Sequence, residues 1–200
     1  MRFNNPLTNI LDNKTKLICL RVMCRCPTKI SGRQLAKIVN INPTTVNKAM
    51  KGLAKENIIS FRPVGKSYLY ELNKTPWVVS KILVPMFKLE GQLLNIFINQ
   101  VSKTIKGSPI KDSVLSVALF GSVHEQKEGP GSDIDLFIVI KDAKDKKKVE
   151  NLFFDTNFFV GVEPYIKTVA EFKKDRELSV IKSIQKSHQI IWGESLERIV

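Results

Sequence analysis

Two apolar segments on either side of a short polar stretch constrain the fold of this chain more than any other feature. Residues 113–120 and residues 134–140 are each apolar enough to form a buried strand. Asp133 and Asp135 stand at the start of the second segment, separated by one residue. Because side chains alternate along a strand, both carboxylates project from one face, about 6–7 Å apart along the backbone. The spacing predicts a small sheet with an acidic site at one edge.

Like charges on one face of a strand repel each other unless a cation lies between them. A divalent ion relieves this repulsion, and Mg²⁺ (or Mn²⁺) suits a site of few carboxylates that takes further oxygens from phosphates and water. Gly121 lets the backbone approach a phosphate closely, and Ser122 offers a hydroxyl and an amide to the same oxygens. Such groups suit in-line attack on an α-phosphate. The alternative is a plain surface turn over residues 129–133 whose aspartates bind nothing.

The order Gly-Ser, ten residues, then Asp-Ile-Asp and an apolar run resembles the signature of the DNA polymerase beta-type nucleotidyltransferase superfamily, most closely its minimal members. The resemblance covers roughly residues 112–195 and implies a mixed sheet with helices packed on it. It also implies that Gly121 and Ser122 hold a nucleoside triphosphate and that Asp133 and Asp135 bind the metal ions.

The same resemblance calls for a third acid on a later strand. Glu163 is the candidate, because it is the only acid inside the third predicted strand, residues 157–166. It would complete the metal site and supply a catalytic base. The alternative is a solvent-facing strand residue that takes no part in binding.

The positive charge of the chain is concentrated in its first third. Residues 1–74 hold 14 Lys and Arg against 3 Asp and Glu, which is +11 of the total of +13. Such asymmetry indicates a surface for a polyanion, most often nucleic acid.

The elements predicted in this basic third follow the order helix, helix, helix, hairpin. Ser31 and Gln34 form a capping box that opens a short helix, and Asn42 caps the next helix. Two strands around a turn follow it. Residues 28–72 therefore resemble a winged helix-turn-helix domain, whose second motif helix enters the major groove of DNA.

This second resemblance implies DNA contacts from the recognition helix, the wing and the helix before it. Hydroxyl and amide groups read bases, while lysines and arginines contact phosphates. The candidate residues are Arg33, Thr44, Thr45, Asn47, Lys48, Lys51, Arg62 and Lys66. A winged helix that serves protein–protein contact is the alternative, and the charge balance argues against it.

Between the two halves, apolar residues recur at helical spacing and predict one long helix over residues 75–106, kinked at Pro85. It either links the domains, with a homodimer seam on its apolar stripe, or packs on its own domain. We therefore expect an α+β protein with a winged-helix domain at 1–74, this linker or dimerisation helix at 75–106, and a nucleotidyltransferase domain at 107–200.

The combined expectation is a protein that binds double-stranded DNA and transfers a nucleoside monophosphate from an NTP to an acceptor hydroxyl. The acceptor stays open between a small molecule, an RNA end and a partner protein. One alternative is a transcriptional regulator whose transferase domain is a catalytically weak nucleotide sensor, and another has the basic half bind RNA. The apolar runs are too short to span a bilayer, and the start of the chain does not read as a secretory signal. Three cysteines leave one unpaired. We therefore expect reduced thiols, a cytoplasmic location and no membrane association.

Overall fold

The computed structural model describes residues 4–65 and 67–199. The chain divides into two compact units, Met1–Leu93 and Leu94–Val200. The apolar core of the first unit is separate from the apolar clusters of the second. Helices and strands occur in both, so the expected α+β class is confirmed.

The first unit is a three-helix winged fold with a small antiparallel sheet. Its three strands lie in the order β1-β3-β2. The elements are α1 (Lys14–Arg25), β1 (Ile30–Ser31), α2 (Gly32–Val39), α3 (Pro43–Lys55), β2 (Ile59–Val64), β3 (Ser67–Leu72), a π-helical turn (Val79–Leu83) and α4 (Val84–Glu90). The predicted order of helices and hairpin is confirmed, and β2 continues through Arg62 into the stretch that was expected to be a turn.

Side-chain caps begin the helices of this unit where the sequence predicts them. The Asn42 carboxamide oxygen accepts from the Thr44 N–H at 2.8 Å, and Pro43 occupies the first helical position. Ser31 and Gln34 form the reciprocal capping box at the start of α2. Because these bonds satisfy N–H groups that have no partner inside the helix, they fix where α2 and α3 begin.

The segment expected to be one long linker helix is interrupted. After α4 the chain turns at residues 91–92, and α5 (Leu93–Lys106) begins there. The π-helical turn ends two residues before Pro85, whose missing N–H and bulky ring disturb the regular helical ladder. The first part of the segment belongs to the first unit, because Val79, Leu83 and Phe87 are buried in its core.

An ion-pair cluster holds α4 on α1 within the first unit. The Arg21 guanidinium donates to both Glu90 carboxylate oxygens at 2.7 and 2.8 Å, and Arg25 donates to one of them at 2.9 Å. The hydrogen bond from Arg21 is the main cause that lowers the pKa of Glu90. A bidentate pair holds its two partners in one geometry. It therefore fixes the orientation of α4 on α1 as well as attracting the two helices to each other.

The second unit is a four-stranded mixed sheet with helices on both faces. Its strands lie in the order β6-β5-β4-β7, with β5 and β6 parallel and the other neighbours antiparallel. Its elements after α5 are β4 (Val114–Phe120), α6 (Gly121–His124), β5 (Ile134–Ile140), a 3₁₀ turn (Ala143–Asp145), α7 (Lys146–Asp155), β6 (Val162–Thr168), α8 (Val169–Lys174), α9 (Ser179–Lys186), β7 (Gln189–Gly193) and α10 (Leu196–Ile199).

The alternation of side chains along β5 divides the second unit into two cores. Leu136 and Ile138 face the side covered by α5 and α7, where Phe97 and Phe153 are buried. Phe137 and Val139 face the opposite side, together with residues of α8, α9 and α10. The sheet is thus covered on both faces, which explains why β5 is apolar from Leu136 to Ile140 rather than alternating.

The fourth strand was not expected. From Val169 to Ile191 the sequence pattern alone indicates mainly helix, whereas the structure has α8 and α9 followed by β7. Edge strand β7 pairs antiparallel with β4, with Val117 opposite Trp192 and Ser116 opposite Gly193. Pairing with the distant strand β4 adds to the β-propensity of Ile190, Ile191 and Trp192 and makes these residues extended.

We expect Gly193→Ala to destabilise the second unit. Gly193 has φ +78°, and a Cβ there would lie 1.9 Å from the Leu115 carbonyl oxygen. The backbone must shift to remove that clash, at a cost of about 2 kcal/mol, so calorimetry should show a melting temperature lowered by several degrees.

Gly129→Ala is the matched control for this substitution. Its nearest neighbour would be the Ser132 hydroxyl at 4.0 Å. It should leave the melting temperature within about one degree of the original value. Equal melting temperatures for the two variants would contradict the steric argument.

Candidate functional site

The turn after β4 brings the Gly-Ser pair beside the first acid of β5. Phe120 lies opposite Asp135 in the register of β4 and β5. Gly121 follows with φ +73° and begins α6. A Cβ on Gly121 would lie 1.9 Å from the Asp135 Oδ2 atom. Glycine is therefore required at this position for two reasons, the left-handed backbone conformation and the close approach of the Asp135 carboxylate.

The pairing of β5 with β6 brings the third acid to the same place. Glu163 lies opposite Asp135 in the parallel register, so both project from one face of neighbouring strands. Asp133 lies two residues before Asp135, so the alternation of side chains places it on the same face. The N–H of Ile134 donates to the Gly161 carbonyl oxygen at 2.9 Å. The five residues proposed from the sequence for this site thus meet at one edge of the sheet.

Sequence reasoning did not identify Gly161, which lies directly beside Asp133. A Cβ on Gly161 would lie 1.8 Å from the Asp133 Oδ1 atom. The missing side chain therefore leaves the space that the Asp133 carboxylate occupies. A glycine just before a strand often marks such a close approach, and this was the available signal.

The charges at this site resist ionisation of one carboxyl group. Burial is the main cause that raises the pKa of Asp135 above its usual value, and the nearby charges of Glu163 and Asp133 add to it. A backbone hydrogen bond from Ser122 partly offsets them. Asp133 and Glu163 are exposed, whereas Asp135 and Ser122 are half-buried. The site is therefore an open acidic edge with one desolvated carboxyl group.

The three carboxylates do not close around a single point in this structure. In residues 4–65 and 67–199, no group of three His, Cys, Asp or Glu side chains is arranged tightly enough to hold a metal ion. Asp133 and Glu163 are exposed, whereas Asp135 is half-buried.

The recognition-helix candidates in the first unit form an exposed row on α3. Thr44, Thr45, Lys48 and Lys51 are all exposed. The Lys51 ammonium lies 5.0 Å from the centre of the Tyr68 ring on β3, within cation–π range. These four side chains are available to a bound duplex without any rearrangement of the fold.

Asn47 is placed differently from its neighbours on α3. It is half-buried, and its carboxamide oxygen accepts from the Tyr70 hydroxyl at 3.0 Å. A Cβ on Gly32 would lie 2.3 Å from the same oxygen. Asn47 therefore connects α3 to α2 and β3.

The remaining candidates lie around the start of α2 and on the wing. Arg33 is exposed and lines a cavity of about 240 Å³ together with Thr44, Ser67 and Tyr68. Arg62 is exposed on β2 and lies opposite Leu69, so it projects from the wing strand rather than from the tip of the turn. Lys66, the other wing candidate, lies outside the residues that the structure describes.

Comparison with known proteins agrees with this arrangement of two parts. Residues 98–191 match the model of the nucleotidyltransferase domain family, which is slightly less than half of the chain. The chain is also 29% identical over 124 residues to the HTH-type transcriptional repressor YtrA of Bacillus subtilis (strain 168), and the match covers 56% of this chain and 95% of YtrA.

Among solved structures, NolR from Sinorhizobium fredii matches 43% of this chain and 82% of its own, with 19% identity and a TM-score of 0.35. HlyU from Vibrio cholerae N16961 matches 46% of this chain and 97% of its own, with 16% identity and a TM-score of 0.36. The chain has a winged helix-turn-helix fold in its first unit and a region in its second that matches the nucleotidyltransferase domain family, as the two sequence resemblances implied.

Among the residues described, none of the helices combines the length and the apolar character that crossing a membrane requires.

We expect Asp135→Asn to raise the melting temperature of the protein near neutral pH. The folded-state pKa of Asp135 is raised, so this carboxyl group binds a proton more readily folded than unfolded. Its contribution to stability is therefore lost as the pH rises through the folded pKa, and the ionised group destabilises the fold above it. Asparagine removes that charge and keeps an oxygen that can accept from Ser122.

The pH dependence provides the control for this prediction. Near pH 3 an aspartate is largely protonated in both states, so the two proteins should melt at similar temperatures there. Calorimetry over about pH 3 to 7 measures the difference between the two proteins. A variant that melts lower than the original protein at neutral pH would show that the Asp135 charge is already compensated.

Proposed function

We propose that the protein binds duplex DNA through its winged-helix domain and that its second domain transfers a nucleoside monophosphate from an NTP to an acceptor hydroxyl in an Mg²⁺-dependent reaction. The observation that carries the transfer proposal is the meeting of three acids with a Gly-Ser turn. Asp135 and Glu163 occupy paired positions on neighbouring strands, and Gly121 lies against the Asp135 carboxylate.

The donor set supports a hard divalent cation at this edge. Carboxylate oxygens are the ligands that Mg²⁺ prefers, and it commonly shares them with substrate phosphates. Burial raises the pKa of Asp135, and the negative charges of Glu163 and Asp133 add to that rise, so a cation at this edge would favour the ionised carboxylate. Asp133, Asp135 and Glu163 would hold the ion. When bound, Mg²⁺ supplies positive charge to the phosphate oxygens as negative charge develops on them.

The residues of the chain have separate tasks in the proposed transfer. Gly121 allows the triphosphate to approach the backbone, and Ser122 donates hydrogen bonds to its oxygens. The acceptor oxygen forms a bond to the α-phosphorus while the bond from that phosphorus to pyrophosphate breaks. The acceptor proton passes to a carboxylate, for which exposed Glu163 is our candidate.

One observation favours a second candidate function, a regulator whose transferase domain only senses nucleotide. Within the described chain, no three acidic, histidine or cysteine side chains are arranged to hold a metal ion. A domain whose side chains are not arranged to hold a metal ion can still bind a triphosphate through Gly121 and Ser122, although it catalyses transfer poorly. The two functions differ in whether label leaves the nucleotide.

Incubation of the full chain with α-labelled NTPs, Mg²⁺ and cell extract tests the transfer proposal. We expect label in an acceptor fraction and a loss of at least about 100-fold on Asp133→Asn, because that change removes a ligand carboxylate. Asp155→Asn is the matched control, since Asp155 is an exposed acid at the end of α7. It should keep the original rate.

Titration calorimetry with each NTP, with and without Mg²⁺, distinguishes the candidates. Mg²⁺-assisted nucleotide uptake without label transfer, joined to NTP-dependent DNA binding, supports the sensor. A complete absence of nucleotide uptake, with and without Mg²⁺, would overturn both the transferase and the sensor functions. Because the extract contains RNA and protein, the labelled fraction also identifies the class of acceptor.

The DNA-binding proposal is supported by the exposed row on α3 and by the charge of residues 1–74. We expect Lys48→Ala to weaken binding of a duplex of arbitrary sequence and to reduce the slope of log K against log salt by about 0.9, the value of one lost phosphate contact. Lys88→Ala is the control, because Lys88 is an exposed lysine on α4, outside this row.

Fluorescence anisotropy of labelled DNA over a series of salt concentrations measures both slopes. Equal slopes for the two variants would place the DNA surface elsewhere. A comparison with structured RNA in the same buffer tests the RNA alternative.

A further inference from the structure

A groove between α1 and α3 runs along the exposed face of the recognition helix. It encloses about 860 Å³. The α3 wall includes three exposed lysines, Lys48, Lys51 and Lys55, which follow one stripe of the helix. The α1 wall includes Thr15 and Lys16 in the first turn of that helix. Neither α1 nor Lys55 was among the residues expected to contact DNA.

The dimensions of duplex DNA require contacts on both sides of a recognition helix. The major groove is about 12 Å wide, and an α-helix with its side chains is about 10–12 Å across. A helix in the groove therefore brings its flanking elements against both sugar–phosphate backbones. Arg33 and Tyr68 flank the start of α3 on one side. The first turn of α1 flanks α3 across the groove between these two helices.

We infer that the groove between α1 and α3 holds the sugar–phosphate backbone of one DNA strand, with Lys55 and Thr15 as phosphate contacts. This inference rests on the proposed binding of duplex DNA and adds a second contact surface to it. Lysine and threonine are both common donors to phosphate oxygens, and such contacts position a protein on the duplex without reading its sequence.

One ion pair in the groove opposes this binding. The Lys16 ammonium lies 2.9 Å from an Asp12 carboxylate oxygen and also donates to the Asn9 carbonyl at 2.8 Å. Its side chain is 15% exposed, and its stem crosses α3 where a Cβ on Gly52 would lie 3.0 Å from it. Lys16 is therefore held in the groove wall with its charge neutralised by Asp12.

Asp12 is the single acid among the described residues that line this groove. A phosphate that enters is repelled by Asp12 and gains little from the neutralised Lys16. The pair therefore lowers the affinity for every sequence equally, since it acts on the backbone term of binding. Removing the Asp12 charge should tighten binding, a direction opposite to that of most substitutions in a binding surface.

Fluorescence anisotropy with the full chain and a duplex of arbitrary sequence tests the inference. For Asp12→Asn we expect about three- to tenfold tighter binding at low salt and a salt slope steeper by about 0.9, because Lys16 then acts as a free cation. For Lys55→Gln we expect about threefold weaker binding and a slope shallower by the same amount. Both residues are exposed, and the N-cap of α1 is Asn13 rather than Asp12, so both variants should fold.

Two control variants carry the same charge changes outside the groove. Glu177→Gln removes an exposed acid of the second unit that is paired with Lys182 at 2.6 Å, and Lys88→Gln removes an exposed lysine of α4. Each should change the affinity less than twofold, within the small effect of screened charges that do not line the groove. The inference is overturned if Asp12→Asn binds no tighter than Glu177→Gln, or if Lys55→Gln binds as tightly as Lys88→Gln.

Two further outcomes concern the original protein. Salt-independent or undetectable binding of the duplex overturns the proposed DNA binding itself, and the groove with it. Stronger binding of double-stranded RNA than of DNA overturns the choice of occupant, because the major groove of A-form RNA is too narrow to admit α3. If the original protein binds DNA with a steep salt dependence, but Asp12→Asn and Lys55→Gln bind it as the original protein does, only the proposed contact in the groove is overturned.

Discussion

The candidate active site depends on one constraint, the crowding of carboxylates against two glycines. Strand pairing places Asp135 opposite Glu163, and the turn after β4 brings Gly121 against the Asp135 carboxylate. Burial and like charge together raise the pKa of Asp135, so the fold keeps a group in a position that opposes its own ionisation. Functional sites commonly carry such local conflicts between stability and chemistry. The rest of the second unit, with helices on both faces of its sheet, holds these strands in register.

Much of the fold could be predicted because the signals are local. Caps at Ser31 and Asn42 begin α2 and α3, and the apolar run of β5 has the bounds that the sequence predicts. Two features could not be predicted because distant residues decide them. Strand β7 is extended through its pairing with β4. The interruption of the expected 75–106 helix accompanies the docking of α4 on α1, where Arg21 and Arg25 bind Glu90 across more than sixty residues of sequence.

The candidate site divides in the same way. The Gly-Ser turn and the two aspartates lie within fifteen residues of chain, so their pattern is visible in the sequence. The position of Glu163 depends on the parallel register of β5 and β6, which sequence spacing does not encode. In the winged-helix domain, the bond from Tyr70 to Asn47 joins residues 23 positions apart. The Asn47 amide therefore has a role in holding the fold, which its place in the sequence does not reveal.

Gly161 has a consequence for how homologous chains are compared. Its missing side chain is the space in which the Asp133 carboxylate lies, yet the residue bears no functional group and belongs to no acidic motif. A chain that keeps all three acids but carries a larger residue at this position would look competent in an alignment of motifs while its first aspartate was displaced. Inspection of this single small residue therefore offers a criterion for sorting relatives with a workable metal pocket from those that retain only its outline.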